Sequence, residues 1–297
     1  MITKKPLKKK KKLLQATTPK KKFTRFRTRV RSRHPSHSPL RTQLPLLPFR
    51  SVVRLGSTTV KPDDGRLVEC NTVEAIRNSA SKLRMKQCFT NGAVKSAAWG
   101  KLADVVLVGS QEQLIFPNDV LLKAPFVTKS LHGSRGKGNA IHQTVAAFNQ
   151  WRQGKDVSNY IVEQFHNYDR EYRLHVTKDG CFYTCRKMLK NDTPQDKRWF
   201  RNDSNSTWIM EDNPQFDKPV NWSTITAECV KALKAVGLDV GACDVKVQSA
   251  KDKKGNPRQN PEFIVIEINS APSFGDVTLQ KYLEVIPAIL RGKKSAV

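Results

Sequence analysis

Several things this sequence of 297 residues lacks narrow its function at the outset. No apolar run approaches the roughly 18 to 20 residues that a membrane-spanning helix needs, and only 38% of the residues are hydrophobic. No Cys-x-x-Cys pair occurs among Cys70, Cys88, Cys181, Cys185, Cys229 and Cys243. Cys181 and Cys185 stand too far apart for a zinc knuckle, so the six read as reduced packing thiols in a cytosol-like compartment. Neither the Gly-x-x-x-x-Gly-Lys-Ser/Thr phosphate loop nor the Gly-x-Gly-x-x-Gly dinucleotide order is present. No convincing Ser-His-Asp or Cys-His set is found, which argues against nucleophilic catalysis by the protein itself. There is no internal repeat.

Acidic residues are missing altogether from residues 1–50, which hold 10 Lys and 7 Arg. The formal charge is +27, so +17 sits in this stretch and +10 in the rest. Lys8 to Lys12 and Lys20 to Lys22 form blocks, and Arg25, Arg27, Arg29, Arg31 and Arg33 alternate. Such a composition predicts a disordered basic tail ending in the extended linker Pro45 to Pro48. The tail suits non-specific contact with nucleic acid by counterion release, or a nuclear or organellar address; a solvated appendage is the plainer alternative. The remaining 247 residues can bury a substantial core, as one large domain or a few packed lobes.

The body mixes strand-like and helical stretches without strict βαβ alternation, which predicts an α+β or mixed architecture. Asn71 or Thr72 caps a helix carrying Val73, Ile76, Ala80 and Leu83. A second helical stretch runs over residues 81–90 and stops at Asn91-Gly92. Strands are expected over residues 104–108, 121–129, 160–165, 172–177 and 182–187. Helices are expected over residues 145–153, 223–236 and 279–290.

Three groups of residues carry chemistry. Near the C-terminus, Gly241-Ala242-Cys243-Asp244-Val245 and Ile266-Glu267-Ile268-Asn269 read as apolar strands with isolated oxygen ligands. Residues i and i+2 of a strand share a face, so Glu267 and Asn269 project together while Ile266 and Ile268 face the core. The polar loop 251–256 turns the chain back, which lets Asp244, Glu267 and Asn269 meet. Hard oxygen donors of this kind suit Mg²⁺, with Mn²⁺ as a substitute. The second group is the loop Lys129-Ser130-Leu131-His132-Gly133-Ser134-Arg135-Gly136-Lys137-Gly138. Its glycines let backbone N–H groups approach an anion, and Ser134, Arg135 and Lys137 add donors and charge. The third is the run from Glu163-Gln164-Phe165-His166 to Glu171-Tyr172-Arg173.

The order of these pieces resembles the ATP-grasp superfamily of carboxylate–amine ligases, over nearly all of residues 52–290. The compact phage proteins, the ribosomal-protein glutamate ligases and the tubulin-tyrosine-ligase-like branch are all similar. The resemblance implies Mg-ATP held between two α+β lobes. It divides the chain into the basic tail 1–50, an N-terminal segment 51–100, a small lobe 101–165 and a C-terminal lobe 166–297. Lys82 would touch the α-phosphate and Lys129 the α- and β-phosphates, with Gly133 to Gly138 closing over the β- and γ-phosphates. Glu163, Gln164 and His166 would form the hinge that reads adenine, largely through backbone groups, Glu171 would hold the ribose, and Asp244, Glu267 and Asn269 would hold the metal. Arg186, Lys187 and Arg135 would stand near the transferred phosphoryl group. Ser130 follows Lys129 where the family often has Pro, and Lys95-Ser96-Ala97-Ala98 stands where it usually has a Pro-containing turn.

The implied activity joins a carboxylate substrate to an amine through an acyl phosphate, in the cytoplasm (a host's, if the chain is viral). The alternative is a degenerate ATP-grasp shell acting as a basic nucleic-acid or acidic-surface binder. The polar stretch 191–219, with Trp199, Phe200 and Trp208, is expected to form a lid or part of the acceptor site, or else a plain surface excursion.

Overall fold

The computed structural model describes residues 24–32, 34–59, 66–107, 113–132, 138–202 and 204–295. Strand β1 (Arg29–Ser32), helix α1 (Ser38–Gln43), β2 (Ser51–Leu55) and β3 (Val68–Cys70) open the fold. The three strands form a parallel sheet in the order β1-β2-β3. Helices α2 (Val73–Ala80) and α3 (Lys82–Asn91) follow as a hairpin. Thr72 Oγ1 accepts from Ala75 N at 3.2 Å and Ser81 Oγ from Arg84 N at 3.4 Å, so each helix begins on a side-chain cap.

A small lobe comes next. It consists of β4 (Trp99–Lys101), the meander β5 (Val106–Leu107), β6 (Gln113–Ile115) and β7 (Leu121–Lys123), then β8 (Phe126–Ser130), β9 (Ala140–His142), α4 (Val145–Arg152) and β10 (Tyr160–Gln164). Its main sheet is antiparallel, in the order β4-β10-β8-β9. The single strand expected over residues 121–129 is two strands, because Pro125 has no N–H to continue the ladder.

The third part holds β11 (Arg170–Thr177), β12 (Gly180–Leu189), β13 (Ser206–Met210), α5 (Trp222–Val236), β14 (Val240–Val247), β15 (Phe263–Asn269) and α6 (Asp276–Ser295). The five strands form an antiparallel sheet in the order β13-β12-β11-β14-β15. Gly237, at φ 80°, ends α5 in the left-handed conformation that glycine adopts without a Cβ clash.

Tyr172, Leu174 and Val176 of β11 and Cys243, Val245 and Val247 of β14 are fully buried against α5. The residues between them, among them Glu171, Arg173, Asp244 and Lys246, turn to the opposite face, which looks across a cleft toward the small lobe. Period-two alternation thus separates core from candidate site within single strands.

The expectation of a disordered tail over residues 1–50 is corrected for residues 24–32 and 34–50; residues 1–23 and 33 lie outside the described residues. Val30, Leu40, Leu44, Leu47 and Phe49 pack with Leu279, Tyr282, Ile286 and Leu290 of α6 in one cluster. Thr28 Oγ1 and Ser51 Oγ are hydrogen-bonded at 3.0 Å beneath them. The density of arginine outweighed these alternating apolar residues in the composition. The chain thereby gains a strand and a helix ahead of residue 51.

Candidate functional site

A cleft of about 540 Å³ lies between the small lobe, the five-stranded sheet and the start of α3. Its floor is a set of charges matched across the sheet. One row runs Lys187, Glu171, Lys246 on β12, β11 and β14. The next runs Arg173, Asp244, Glu267 on β11, β14 and β15. Neighbours in the first row alternate in sign, which cross-strand pairing favours, whereas the second row sets two carboxylates, Asp244 and Glu267, side by side.

In the second row, Arg173 grips Asp244 with both arms of its guanidinium, Nε to Oδ1 at 2.7 Å and Nη2 to Oδ2 at 2.8 Å. Burial disfavours the Arg173 charge, but Asp244 outweighs it and its pKa stands above the ordinary value. Asn269 Nδ2 donates to Glu267 Oε1 at 3.0 Å and to Asp244 Oδ2 at 3.4 Å, so the three sequence-predicted metal ligands meet at one point. A register shift between Asp244 and Val245 makes this possible. Asp244 faces Glu267 and Val245 faces Val265, which leaves Ile266 in a bulge. Ile266 was expected to face the core; the bulge instead places it half-buried on the cleft wall.

The first row is more deeply enclosed. Burial pushes the Glu171 carboxyl up, against the pull of Lys246 and of Arg201, whose Nη1 is 3.6 Å away. Burial lowers Lys246 to about 8, although Glu171 opposes the shift. Lys246 Nζ donates to Trp199 O at 3.1 Å and lies 5.3 Å from the centre of the Phe165 ring.

Across the cleft, Lys129 Nζ donates to Glu163 Oε2 at 2.8 Å, and Lys86 Nζ stands 3.2 Å from the same oxygen. Burial alone would raise the Glu163 carboxyl, yet Lys129 and Lys86 outweigh it and hold it below the usual range. Glu163 Oε1 is buried without a hydrogen-bond partner. Lys82 sits one helical turn before Lys86 and also faces the cleft. Burial lowers its pKa, while Glu267 pulls the other way.

The structure therefore gathers Lys82, Lys129, Glu163, Gln164, His166, Glu171, Lys187, Asp244, Glu267 and Asn269 around one cleft. Gly138 is described, at φ 77° with Ser130 Cβ 2.9 Å from where a Cβ would stand, so this position requires glycine. Gly133, Ser134, Arg135, Gly136 and Lys137 lie outside the described residues.

One expectation is corrected. Arg186 does not line the cleft; it turns to the other face of β12, ion-paired to Asp217 and lying 5.8 Å over the Tyr172 ring. Adjacent strand residues point oppositely, so of Arg186 and Lys187 only one can reach the cleft. Gln164 lines the cleft, but its side-chain amide is committed to Lys123, donating to its carbonyl at 2.8 Å and accepting from its N–H at 2.9 Å. The side chain braces β7 against β10, which leaves the expected adenine contact of this residue to its backbone groups.

Lys86, Arg173, Arg201 and Lys246 were missed. Lys82 and Lys86 are spaced i, i+4 on a capped helix, and Arg173 and Lys246 each lie two residues from a predicted ligand, so parity would have found three of the four. The stretch 191–219 is folded around β13. Trp199, Phe200, Arg201, Asn202 and Trp208 line the cleft, and Trp208 lies 4.8 Å from Arg173 and 5.0 Å from Lys187 as a cation–π partner. His175 is a buried core residue bonded to Tyr282 Oη at 3.1 Å and lowered to about 3 by burial.

Comparison with solved structures matches this architecture. Over 82% of its length the chain superimposes on 60% of carboxyaminoimidazole ribonucleotide synthase from Aspergillus clavatus complexed with ATP, at TM-score 0.52 and 14% identity. Over 83% it superimposes on 81% of D-alanine–D-alanine ligase from Bacillus anthracis complexed with ATP, at TM-score 0.50 and 11% identity. The chain thus spans 60% of the synthase's length. No protein-family model matches the sequence, and no curated protein is similar to it. The chain has the ATP-grasp fold, an α+β architecture of two lobes around a cleft.

Proposed function

We propose that this protein is an ATP-dependent ligase that joins a carboxylate to an amine through an acyl phosphate. The observation that carries the reading is the cleft's charge inventory. Lys82, Lys129, Arg173, Lys187, Arg201 and Lys246 line it, against Glu163, Glu171, Asp244 and Glu267. Six cations against four carboxylates, half-enclosed from water, suit a triphosphate and an anionic acceptor better than a neutral ligand.

Each group then has a part. Lys82 and Lys129 neutralise phosphate oxygens from the helix and small-lobe sides. Glu163, paired to Lys129 and Lys86, fixes both ammonium groups before any ligand arrives, and its unpartnered Oε1 is ready to accept from one. Glu171 stands in the position suited to ribose hydroxyls. Lys187 and Arg173 face the place where a carboxylate approaches. A carboxylate is a poor electrophile. Transfer of the γ-phosphoryl group from ATP to its oxygen releases ADP and makes phosphate the leaving group. The amine then attacks the acyl carbon, expels phosphate and loses a proton. Such transfer depends on positioning and charge neutralisation more than on a protein nucleophile.

The donor set fits a divalent cation. Asp244 and Glu267 would supply two carboxylates and Asn269, once its amide turns its oxygen toward them, a third donor, too few for an all-protein cage but suited to Mg²⁺ that also takes water and phosphate oxygens. Among the described residues no group of three His, Cys, Asp or Glu side chains forms a metal site. The bound ion would neutralise triphosphate charge. Incubation with ATP, Mg²⁺ and hydroxylamine across a panel of amino acids and acidic peptides tests the reading. A hydroxamate formed together with ADP supports it, and ATP turnover to AMP and pyrophosphate contradicts it.

A further inference from the structure

A second hollow, of about 190 Å³, lies on the outer face of the N-terminal parallel sheet, away from the cleft. Arg27, Arg29 and Arg31 of the β1 segment and Arg50 and Arg54 of the β2 segment line it, over a floor that includes Val52. The register sets Arg29 beside Val52 and Arg31 beside Arg54, so two columns of arginines share one sheet face. Glu69 pairs with Arg54, and Arg27 Nη2 donates to Thr42 O at 3.2 Å. Arg29 and Arg31 make no ion pair among the described residues. Arg54 is 3% exposed, and its Nε is buried without a hydrogen-bond partner among the described residues.

The position of this face matters as much as its charge. Both strands run from the hollow toward the cleft. Arg54 lines the hollow, and Gly56, two residues on, lines the cleft; Arg31 lines the hollow, and His34 lines the cleft. At roughly 3.3 Å per extended residue, the two sites are separated by about 7 Å of chain along β2. His34 and Ser36 contact the loop that follows Asn269, with Phe274 N donating to Ser36 Oγ at 3.1 Å and His37 Nε2 donating to Pro272 O at 2.7 Å. The arginine face is thereby anchored to the wall of the cleft.

Arg27, Arg29 and Arg31 recur at every second residue, roughly 6.6 Å apart, which is also the repeat of alternate side chains in an extended peptide. The guanidinium fork matches a carboxylate in two parallel hydrogen bonds. The geometry points to a docking track for an acidic peptide, which lays alternate Asp or Glu side chains on Arg29 and Arg31 and delivers its end to the cleft. The inference rests on the ligase reading and names its substrate class: a polycarboxylate peptide rather than a free amino acid. A nucleic-acid backbone is the competing occupant of such a face.

Fluorescence anisotropy of a labelled octaglutamate peptide with the full chain tests the track, beside octaglutamine and a single-stranded RNA octamer. The Arg29→Gln/Arg31→Gln double variant is expected to weaken octaglutamate binding by about tenfold or more. A full-length variant with Lys8 to Lys12 replaced by Gln controls for loss of charge alone and is expected to lose less than about threefold. The Mg-ATP-induced rise in melting temperature should be the same in the double variant as in the parent. Equal octaglutamate affinity in parent and double variant, equal binding of octaglutamine, or a tighter RNA complex that alone depends on Arg29 and Arg31 each overturns the proposal. Loss of the Mg-ATP response in the parent chain would overturn the ligase reading instead, while the peptide titration still decides whether the track exists.

Discussion

The two faces of the five-stranded sheet are built from the same strands and do opposite work. On one face Tyr172, Leu174, Val176, Cys243, Val245 and Val247 are fully buried and pack with α5. On the other, one residue away in each strand, charged residues stand in rows across the strands and open onto the cleft. The apolar face needs only complementary volume to be stable. The charged face holds several ionic groups partly out of water, an arrangement that contributes little net stability and is sustained by pairing. The fold's rigidity thus comes from one parity and its chemistry from the other, and substitutions should separate the two.

The largest effect should come from the core side. Leu174→Ala is expected to destabilise the protein by about 2 to 5 kcal/mol in a urea titration, while any Mg-ATP response of the folded remainder persists. Loss of the response at unchanged stability would dissolve the distinction between faces. A sharper version uses neighbours on β12. Lys187→Gln should lower ligation turnover by about tenfold or more with little change in melting temperature. Arg186→Gln should cost about 1 to 2 kcal/mol by removing its bonds to Asp217 and leave turnover nearly intact. An Arg186 variant that is stable but inactive would put the wrong residue in the cleft.

A smaller effect concerns His175, the one titratable group of β11 that is closed off beneath α6. Burial holds it neutral down to about pH 3, whereas the unfolded chain takes up a proton near the ordinary histidine value of about 6.5. The unfolded state therefore binds more protons throughout this window, and stability should fall as pH drops from 6.5 toward 3. His175→Gln should flatten that slope in melting curves; an unchanged slope would assign it to other groups.

Much of this was legible beforehand, and the parts that were not have physical reasons. Thr72, Ser81, Gly92 and Gly237 mark helix ends through capping and left-handed geometry, which are local properties. Asp244, Glu267 and Asn269 were visible because isolated polar residues in apolar strands stand out. Ile266 was misplaced because a bulge depends on the partner strand. Arg186 was put beside Lys187 because a sequence does not say which parity faces the cleft until the core is known. Lys86 and Lys246 were passed over because a lysine ordinarily marks a solvated surface, and their burial is tertiary. Residues 24–50 were taken for disorder because arginine density concealed the alternation of Thr28 and Val30 with Arg27, Arg29 and Arg31.

The most direct test is the melting temperature of the full chain with and without Mg-ATP, alongside Glu267→Gln. Val30, Leu40, Leu44, Leu47 and Phe49 belong to the packed core, so the N-terminal stretch stays in the protein tested. Ligand at about 1,000 times its Kd stabilises by about 4 kcal/mol. The account predicts a rise of several degrees that requires Mg²⁺ and shrinks in Glu267→Gln. No rise at millimolar Mg-ATP in the folded parent, or a rise indifferent to Glu267, would contradict it.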